Sequence, residues 1–290
     1  GFGFKRNNTS TEFFKNVNDF NSNDAYISHA GIVAPFETEK GNAAIAIGYV
    51  MEDNFDDHAK FSAFNPISSY TDYHASRGGE YRNNLAYQLY LADYDFYTPL
   101  NDSLMQSASV DESGGIHAIT GGAGFDLSEY VSLGFSITGK WGGYDYTRNF
   151  SESDSRNLYQ NFDTTANGAY RDIDFRRLEV DDVLDQSISG ITGSIGLQTR
   201  LEKFLKFGVT VQFPTFYSIE ENWSRTAVAY FDNGVESPEY REDGETAYNI
   251  TTPWIYSAGF SVHALGLTFA AGVEYSDVTQ ISFSDASEDE

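Results

Sequence analysis

Cysteine is absent from the sequence and basic residues are few. Without cysteine the chain forms no disulfide bond, no thiolate metal site and no thiol nucleophile. Its 18 lysines and arginines stand against 43 aspartates and glutamates, which gives a formal charge of −25. Nucleic acids and anionic inner leaflets are bound by clustered basic residues. We therefore expect no nucleic-acid partner.

Long apolar runs and enzyme motifs are also missing. No run of 18 apolar residues occurs, so the sequence predicts no transmembrane helix, and residues 1–15 do not resemble a secretory signal. The five histidines lack the spacing of a zinc site, and the sequence contains no Gly-x-Ser-x-Gly motif. We expect no enzymatic activity, no metal and no cofactor.

What the sequence does contain favours β-structure. Aromatic residues make up 16% of the chain, with 26 glycines and 6 prolines. Three segments alternate apolar and polar residues with the period of a strand, and a helical period would mix Ser and Thr with Leu and Phe. The segments are residues 130–140, 203–213 and 267–275.

The polar positions of these segments are mostly Gly, Ser, Thr and Ala, which suit a crowded lumen better than a solvated sandwich face. The segments are about ten residues long, the length of a tilted membrane strand. Aromatic residues gather near their ends, as in a membrane-interface girdle: Trp141, Tyr144, Tyr146, Phe216, Tyr217, Trp223, Trp254 and Tyr256. The predicted fold is an all-β, antiparallel transmembrane β-barrel of the outer-membrane type. Residues 1–290 form one barrel domain in this prediction.

Connection lengths support the same prediction. Short links at residues 126–129, 199–202 and 263–266 alternate with long acidic ones at 52–114, 151–185 and 220–248. In the first long link, residues 82–91 have apolar residues at helical spacing, and Asn83 or Asn84 is suited to cap a short helix.

Three stretches resemble the FadL/TodX family of outer-membrane transport proteins, especially its Bacteroidetes-type members. These stretches are residues 30–49, 115–150 and 188–223, with the phrase at 207–217 most similar. The resemblance implies a monomeric barrel of about fourteen strands, an N-terminal hatch in the lumen, an outer hydrophobic groove and a lateral opening. The family's hatch and its terminal aromatic strand are not found in the sequence, so we expect this chain to be a partial barrel.

The resemblance implies passive uptake of hydrophobic small molecules, such as long-chain fatty acids or aromatic hydrocarbons, across the outer membrane of a Gram-negative cell. The expected partners are this ligand and outer-membrane lipid. The candidate groove residues are the apolar side chains of a long loop: Leu85, Leu89, Tyr90, Phe96 and Tyr97.

Two alternatives remain open at this point. The barrel could be a scaffold of a secretion or surface-anchoring complex, with protein partners and no substrate. The aromatic-rich strands could instead close a soluble, sugar-binding sandwich, since a sandwich also buries one face of each strand.

Overall fold

The protein is an all-β protein, as predicted. A computed structural model describes residues 1–39, 41–160, 174–201, 204–232, 234–264 and 266–285. The described residues are 71% strand and 6% helix, and their sheets are antiparallel. No helix in the described part of the chain is long and apolar enough to cross a bilayer.

Fourteen strands, two short α-helices and two 3₁₀ turns make up the described residues. The strands are β1 (Phe2–Phe13), β2 (Asn16–Ile27), β3 (His29–Thr38), β4 (Gly41–Asn54), β5 (Asp57–Asn65), β6 (Leu104–Asp126), β7 (Val131–Ser153), β8 (Phe175–Leu201), β9 (Leu205–Gln212), β10 (Phe216–Phe231), β11 (Tyr240–Thr251), β12 (Ile255–Ala264), β13 (Leu267–Ser276) and β14 (Ser282–Ser284). The helices are α1 (Tyr70–Ser76) and α2 (Leu85–Gln88), and the 3₁₀ turns are Tyr81–Asn83 and Val278–Gln280.

The main sheet has the order β3-β4-β6-β7-β8-β9-β12-β13. Beyond one end of this array, β5 continues the path of β4 along β6, and β10 continues the path of β9 along β8. Among the described residues β3 and β13 each pair on one side, so this part of the sheet does not close on itself. The hairpin β1–β2 is a separate two-stranded sheet.

Two proline-containing breaks separate the main array from its continuation. Pro214 lies between β9 and β10, and Pro253 lies between β11 and β12. Proline has no N–H to donate to a strand ladder, so it interrupts pairing. The neighbouring backbone is satisfied locally, because Thr252 N–H donates to the Thr215 carbonyl at 3.0 Å and Thr215 N–H donates to Thr252 Oγ1 at 2.8 Å.

The predicted long links are shorter than expected, and this part of the sequence prediction is wrong. Each of the stretches 52–114, 151–185 and 220–248 contains strand residues: β5 and the first half of β6 in the first, the start of β8 in the second, and most of β10 and β11 in the third. The error has a physical cause. In these stretches acidic residues occupy strand positions that face solvent, so the expected apolar and small alternation is absent.

The two faces of the sheet can be distinguished by the segment of residues 66–103, which we call the cap. The cap packs on one face of β6, β7, β8 and β10, here called the inner face, and the opposite face is called the outer face. The core formed in this way contains buried residues from both layers: Ala75, Leu85, Ala86, Leu89, Leu91 and Leu100 from the cap, and Phe150, Phe175, Leu178, Val180, Ala227, Ala229 and Phe231 from the sheet.

Helix α2 confirms part of the predicted helix. It spans four residues, not the ten of the segment 82–91, and Asn84 is its N-cap, accepting a hydrogen bond from Tyr87 N–H at 3.1 Å. The same Asn84 donates to the carbonyl of His74 at 2.9 Å, which ties α2 to α1. Helix α1 was not anticipated, since its sequence has no clear apolar periodicity.

The cap is attached to the sheet through a buried carboxylate. Glu152, on the inner face of β7, is fully buried and accepts hydrogen bonds from Tyr70 N–H at 2.9 Å, Thr71 N–H at 3.1 Å and Gln106 Nε2 at 2.7 Å. It also accepts from the hydroxyls of Ser69 and Thr71. A negative charge at a helix N-terminus compensates the unpaired N–H groups found there. Glu152 therefore fixes the position of α1.

Replacing Glu152 by Gln should loosen the cap, because an amide N–H₂ would meet groups that all donate to position 152. A buried hydrogen bond to a charged group contributes about 1.5–3 kcal/mol. We expect amide exchange of Tyr70 and Thr71 to accelerate by about 10- to 100-fold, as measured by hydrogen–deuterium exchange. Glu245→Gln, at an exposed position of β11, is the matched control. Unchanged exchange in Glu152→Gln would mean that the carboxylate does not anchor α1.

Candidate functional site

The outer face of the main sheet is a continuous apolar surface. The strand register places one residue from each of eight strands side by side, and two complete rows are apolar. The first row is Ala34, Ile45, Ala123, Phe135, Ile195, Val211, Tyr256 and Tyr275. The second row is Phe36, Ala43, Phe125, Leu133, Leu197, Val209, Ala258 and Val273. We call these rows, with the outer-face residues beside them on the same strands, the apolar belt.

The inner face opposite the belt has a different chemistry. The row between the two apolar rows is Pro35, Ala44, Gly124, Gly134, Gly196, Thr210, Ser257 and Glu274. All the Asp, Glu, Lys and Arg residues of these strand segments lie on this face: Glu37, Asp126, Lys140, Arg200, Lys206 and Glu274. Around the apolar belt, charge is therefore confined to the inner face of the sheet.

The apolar belt is exposed, and no second layer from the described residues packs against it. Phe135 is 55% exposed, Ile195 43% and Val273 68%. In a two-layer sandwich these residues would be buried against an opposing sheet. An exposed apolar surface of this extent on a folded protein marks contact with a membrane or a partner.

The belt has the dimension of a membrane-crossing surface. On β7 it extends from Leu133 to Trp141, eight residue steps and so about 27 Å along the strand. At a strand tilt of about 45° this corresponds to a height of about 20 Å, close to the apolar band of outer-membrane barrels.

Some of the aromatic residues of the predicted girdle lie on the outer face, and others do not. Trp141, Phe216 and Tyr256 lie on the outer face at the edge of the belt, and they are 44%, 56% and 46% exposed. Near them, Trp254 packs edge-on against Phe213 at 5.2 Å. Four of the predicted residues instead have the inner-face parity, because they alternate with outward residues on β7 and β10: Tyr144, Tyr146, Tyr217 and Trp223.

A charge introduced into the belt should be far more destabilising than one introduced beside it on the other face. Ala258→Lys places the charge in the second apolar row, whereas Ser257→Lys places it on the inner face, next to Glu274. Lysine at the bilayer midplane costs about 2–4 kcal/mol in a membrane barrel. We expect a loss of this size for Ala258→Lys alone, measured by denaturant titration in lipid vesicles. Equal effects of the two variants would contradict a lipid-facing belt.

Beneath the cap, the inner face carries a charged cluster. Asp182 of β8 accepts hydrogen bonds from Arg148 Nε at 2.7 Å and from Arg225 Nε at 2.6 Å. The three residues are opposite one another on β7, β8 and β10. Two guanidinium groups therefore share one carboxylate, and the planar carboxylate is an acceptor that suits the N–H groups of arginine.

The charged cluster affects the titratable groups of α1. Burial, followed by the positive charges of Arg225 and Arg77, lowers the pKa of His74 to about 4, and the Tyr70 ring lies 4.4 Å from the imidazole. Burial also raises the pKa of Tyr70. His74 therefore stays neutral at neutral pH, and protonating it would place a third positive charge near the two arginines.

Acid should open the cap through His74. Because its pKa is near 6.5 when unfolded and about 4 when folded, the open form takes up the proton first. Stability present above pH 6.5 is thus lost as the pH falls toward 4. Allowing for solvent screening at this half-buried site, we expect cap proteolysis to rise about three- to tenfold between pH 7 and pH 5. His74→Asn should flatten this dependence, and an unchanged pH profile in that variant would assign it to other groups.

The solvent side of the cap carries an aromatic cluster of Tyr81, Tyr87 and Phe96. The ring centroids of Tyr81 and Tyr87 are 4.8 Å apart, and those of Tyr81 and Phe96 are 5.3 Å apart. Tyr87 and Phe96 meet edge-on at 6.2 Å. Tyr81 is 50% exposed and Tyr97, next to Phe96 in the chain, is 66% exposed. Together they present apolar surface to solvent.

The five predicted groove residues are divided between the core and the surface of the cap. Leu85 and Leu89 are buried between the cap and the sheet. Tyr90 is half-buried with a positive φ of 59°, Phe96 belongs to the aromatic cluster, and Tyr97 follows Phe96 in the chain and is exposed. Their role in ligand binding stays a prediction.

Sequence reasoning missed Glu152, Arg148, Asp182 and Arg225. Each is one charged residue in an acidic or polar stretch, and their partners lie 34 to 83 residues away in the sequence. A local pattern holds no sign of such pairs. Within the described residues, no group of three His, Asp or Glu side chains is arranged to hold a metal ion.

The chain matches no known protein-family model, and no curated protein is significantly similar to it. The resemblance to the FadL/TodX family is therefore carried by the strand patterns alone and stays a prediction.

Proposed function

We propose that the protein is an outer-membrane β-barrel protein of the FadL/TodX type that takes up hydrophobic small molecules. The observation that carries the proposal is the apolar belt: two complete rows of exposed apolar residues across eight strands, with all nearby charges on the other face. Lipid is the solvent in which such a face is stable, since water would leave its apolar area exposed.

The proposed barrel needs more strands than the eight that are paired in the main array. The edges of β3 and β13 present unpaired backbone groups, each of which costs several kcal/mol in a bilayer. Further strands, about fourteen in all by the family resemblance, would pair these edges and enclose the inner face. The small inner residues would then line the lumen.

The aromatic cluster of the cap is the proposed capture site for the substrate. Tyr81 and Phe96 pack against each other on the cap, and Tyr97, which follows Phe96 in the chain, is exposed beside them in sequence. Long-chain fatty acids or aromatic hydrocarbons would bind there by burying apolar area, at about 25 cal/mol per Å². Transfer inward and lateral release into the bilayer would follow.

A scaffold function in a secretion or surface-anchoring complex is the second candidate. The observation that favours it is the packing of the cap. The part of the sheet beyond the belt is here called the upper sheet, and the side chains of Leu85, Leu89 and Leu100 fill its inner face. A filled upper lumen is compatible with a barrel that holds partner proteins and conducts nothing.

Substitution of Tyr81 by Ala should reduce uptake of a labelled long-chain fatty acid by cells that depend on this protein. Loss of an exposed aromatic contact of about 1–2 kcal/mol predicts a 5- to 30-fold fall in apparent affinity. Tyr94→Ala is the control, because Tyr94 is 62% exposed on the same cap outside the ring cluster. Equal uptake by both variants would remove the aromatic cluster from the pathway. No uptake by the native protein, with partner proteins co-purifying in stoichiometric amounts, would favour the scaffold.

A further inference from the structure

A polar grid lies on the outer face of the upper sheet, beyond the apolar belt. Four strands contribute two residues each, and the register sets them in two rows. One row is Lys60, Ser109, Asn149 and Asp181, and the other is Ser62, Ser107, Ser151 and Glu179. At about 4.8 Å between strands the grid is about 14 Å long.

The grid forms the floor of an open cavity of about 470 Å³. The hairpin β1–β2 forms one wall, since Asn18 of β2 lines the same cavity. Side chains of the hairpin hold it against the edge of β5 by donating to backbone carbonyls of that strand. Asn16 Nδ2 donates to the Ser62 carbonyl at 3.2 Å, and the Thr11 hydroxyl donates to the Lys60 carbonyl. The wall and the floor are thus fixed to each other.

The polar groups of the grid are largely uncommitted. Within the described part of the chain, the side chains of Ser62, Ser107, Asn149 and Ser151 make no hydrogen bond. Asn18 Nδ2 is buried and has no hydrogen-bond partner there. A buried donor without a partner costs about 1–3 kcal/mol, so a ligand acceptor at this point would be favourable.

The chemistry of the grid fits a hydroxyl-rich ligand. Serine, Asn and carboxylate oxygens accept hydrogen bonds, while Lys60, the Asn amides and the serine hydroxyls donate. None of the eight side chains is apolar, so a greasy ligand or peptide side chain would gain little by burial there. The carboxylate of Asp181, with Glu179 beside it on the same strand, disfavours a further anion such as phosphate at that end of the grid.

The position of the grid indicates where such a ligand comes from. Asn149 is eight residues beyond Trp141, the last belt residue of β7, and both have outer-face parity. The separation is about 27 Å along the strand and about 20 Å in height at a 45° tilt. A lipid headgroup must therefore extend well above the bilayer to reach the grid.

We infer that the polar grid binds the oligosaccharide headgroup of an outer-leaflet glycolipid. The inference rests on the proposed membrane placement of the belt, which sets the grid at the level of such a headgroup. The glycolipid's acyl chains would lie along the belt while its sugar hydroxyls bond the two rows and Asn18.

Lipopolysaccharide titration in a sugar-free detergent tests the inference. Since the chain has no cysteine, Ser153→Cys allows one environment-sensitive dye to be attached next to the grid on β7. We expect lipopolysaccharide with a complete core oligosaccharide to bind at least tenfold more tightly than lipid A, which lacks it. The double change Ser109→Val and Ser151→Val should reduce this ratio to about one. Ser224→Val, on the outer face of β10 outside the grid, should leave it unchanged.

Each other outcome contradicts a defined part of the inference. Equal binding of lipopolysaccharide and lipid A by the labelled protein, or an unchanged ratio in the double variant, overturns the grid as the sugar site. Binding of free core oligosaccharide as tightly as lipopolysaccharide overturns the lipid source. A protein that stays in the aqueous fraction without detergent contradicts the proposed membrane function itself, whereas one that enters lipid and shows no preference contradicts only the grid.

Discussion

Strand alternation, and its inversion along single strands, is the constraint on which the rest of the structure depends. Successive side chains of a strand point to opposite faces, so one strand can serve two environments only if its pattern changes along its length. On β7 the outer face is apolar up to Trp141 and polar at Asn149, while the inner face changes from Ser136 to the buried Phe150. The register with β6 and β8 continues unchanged through this inversion. One sheet therefore carries an exposed apolar belt and, further along, a buried core under the cap.

The inversion explains why the cap must be anchored by charge as well as by packing. Its apolar residues cover the upper inner face, but the sheet beneath them also carries Glu152 and Asp182. Each carboxylate is compensated: Glu152 by the N-terminus of α1 and by Gln106, and Asp182 by two arginines. A buried carboxylate without such donors would be strongly destabilising. The cap and the inner face are therefore stable as a pair.

Much of the fold could be predicted from the sequence, because the alternation of apolar and polar residues along a strand is a local pattern. In the belt the two faces differ sharply, as at Phe207 and Val209 against Gly208 and Thr210, so alternation identifies the strands and their short turns. Above the belt the contrast disappears, because residues such as Asp181 and Asp185 lie outward and the apolar residues Val180 and Leu184 lie inward among polar neighbours. Strand ends, the cap and the charged cluster depend on contacts between distant segments, which no local pattern contains.

The charged cluster below the cap bears on the route that the proposed hydrophobic substrate would take. A molecule moving straight along the inner face would pass the Arg148, Asp182 and Arg225 cluster and then the ion pair of Lys140 with Glu52, whose Nζ–Oε2 distance is 2.6 Å. Separating or desolvating such pairs to admit an apolar chain costs more than the chain gains by leaving water. A path that leaves the inner face above the Lys140–Glu52 pair and enters the bilayer beside the belt avoids the cost of that pair. For the proposed uptake, the distribution of charge on the inner face thus favours lateral release over passage through the lumen.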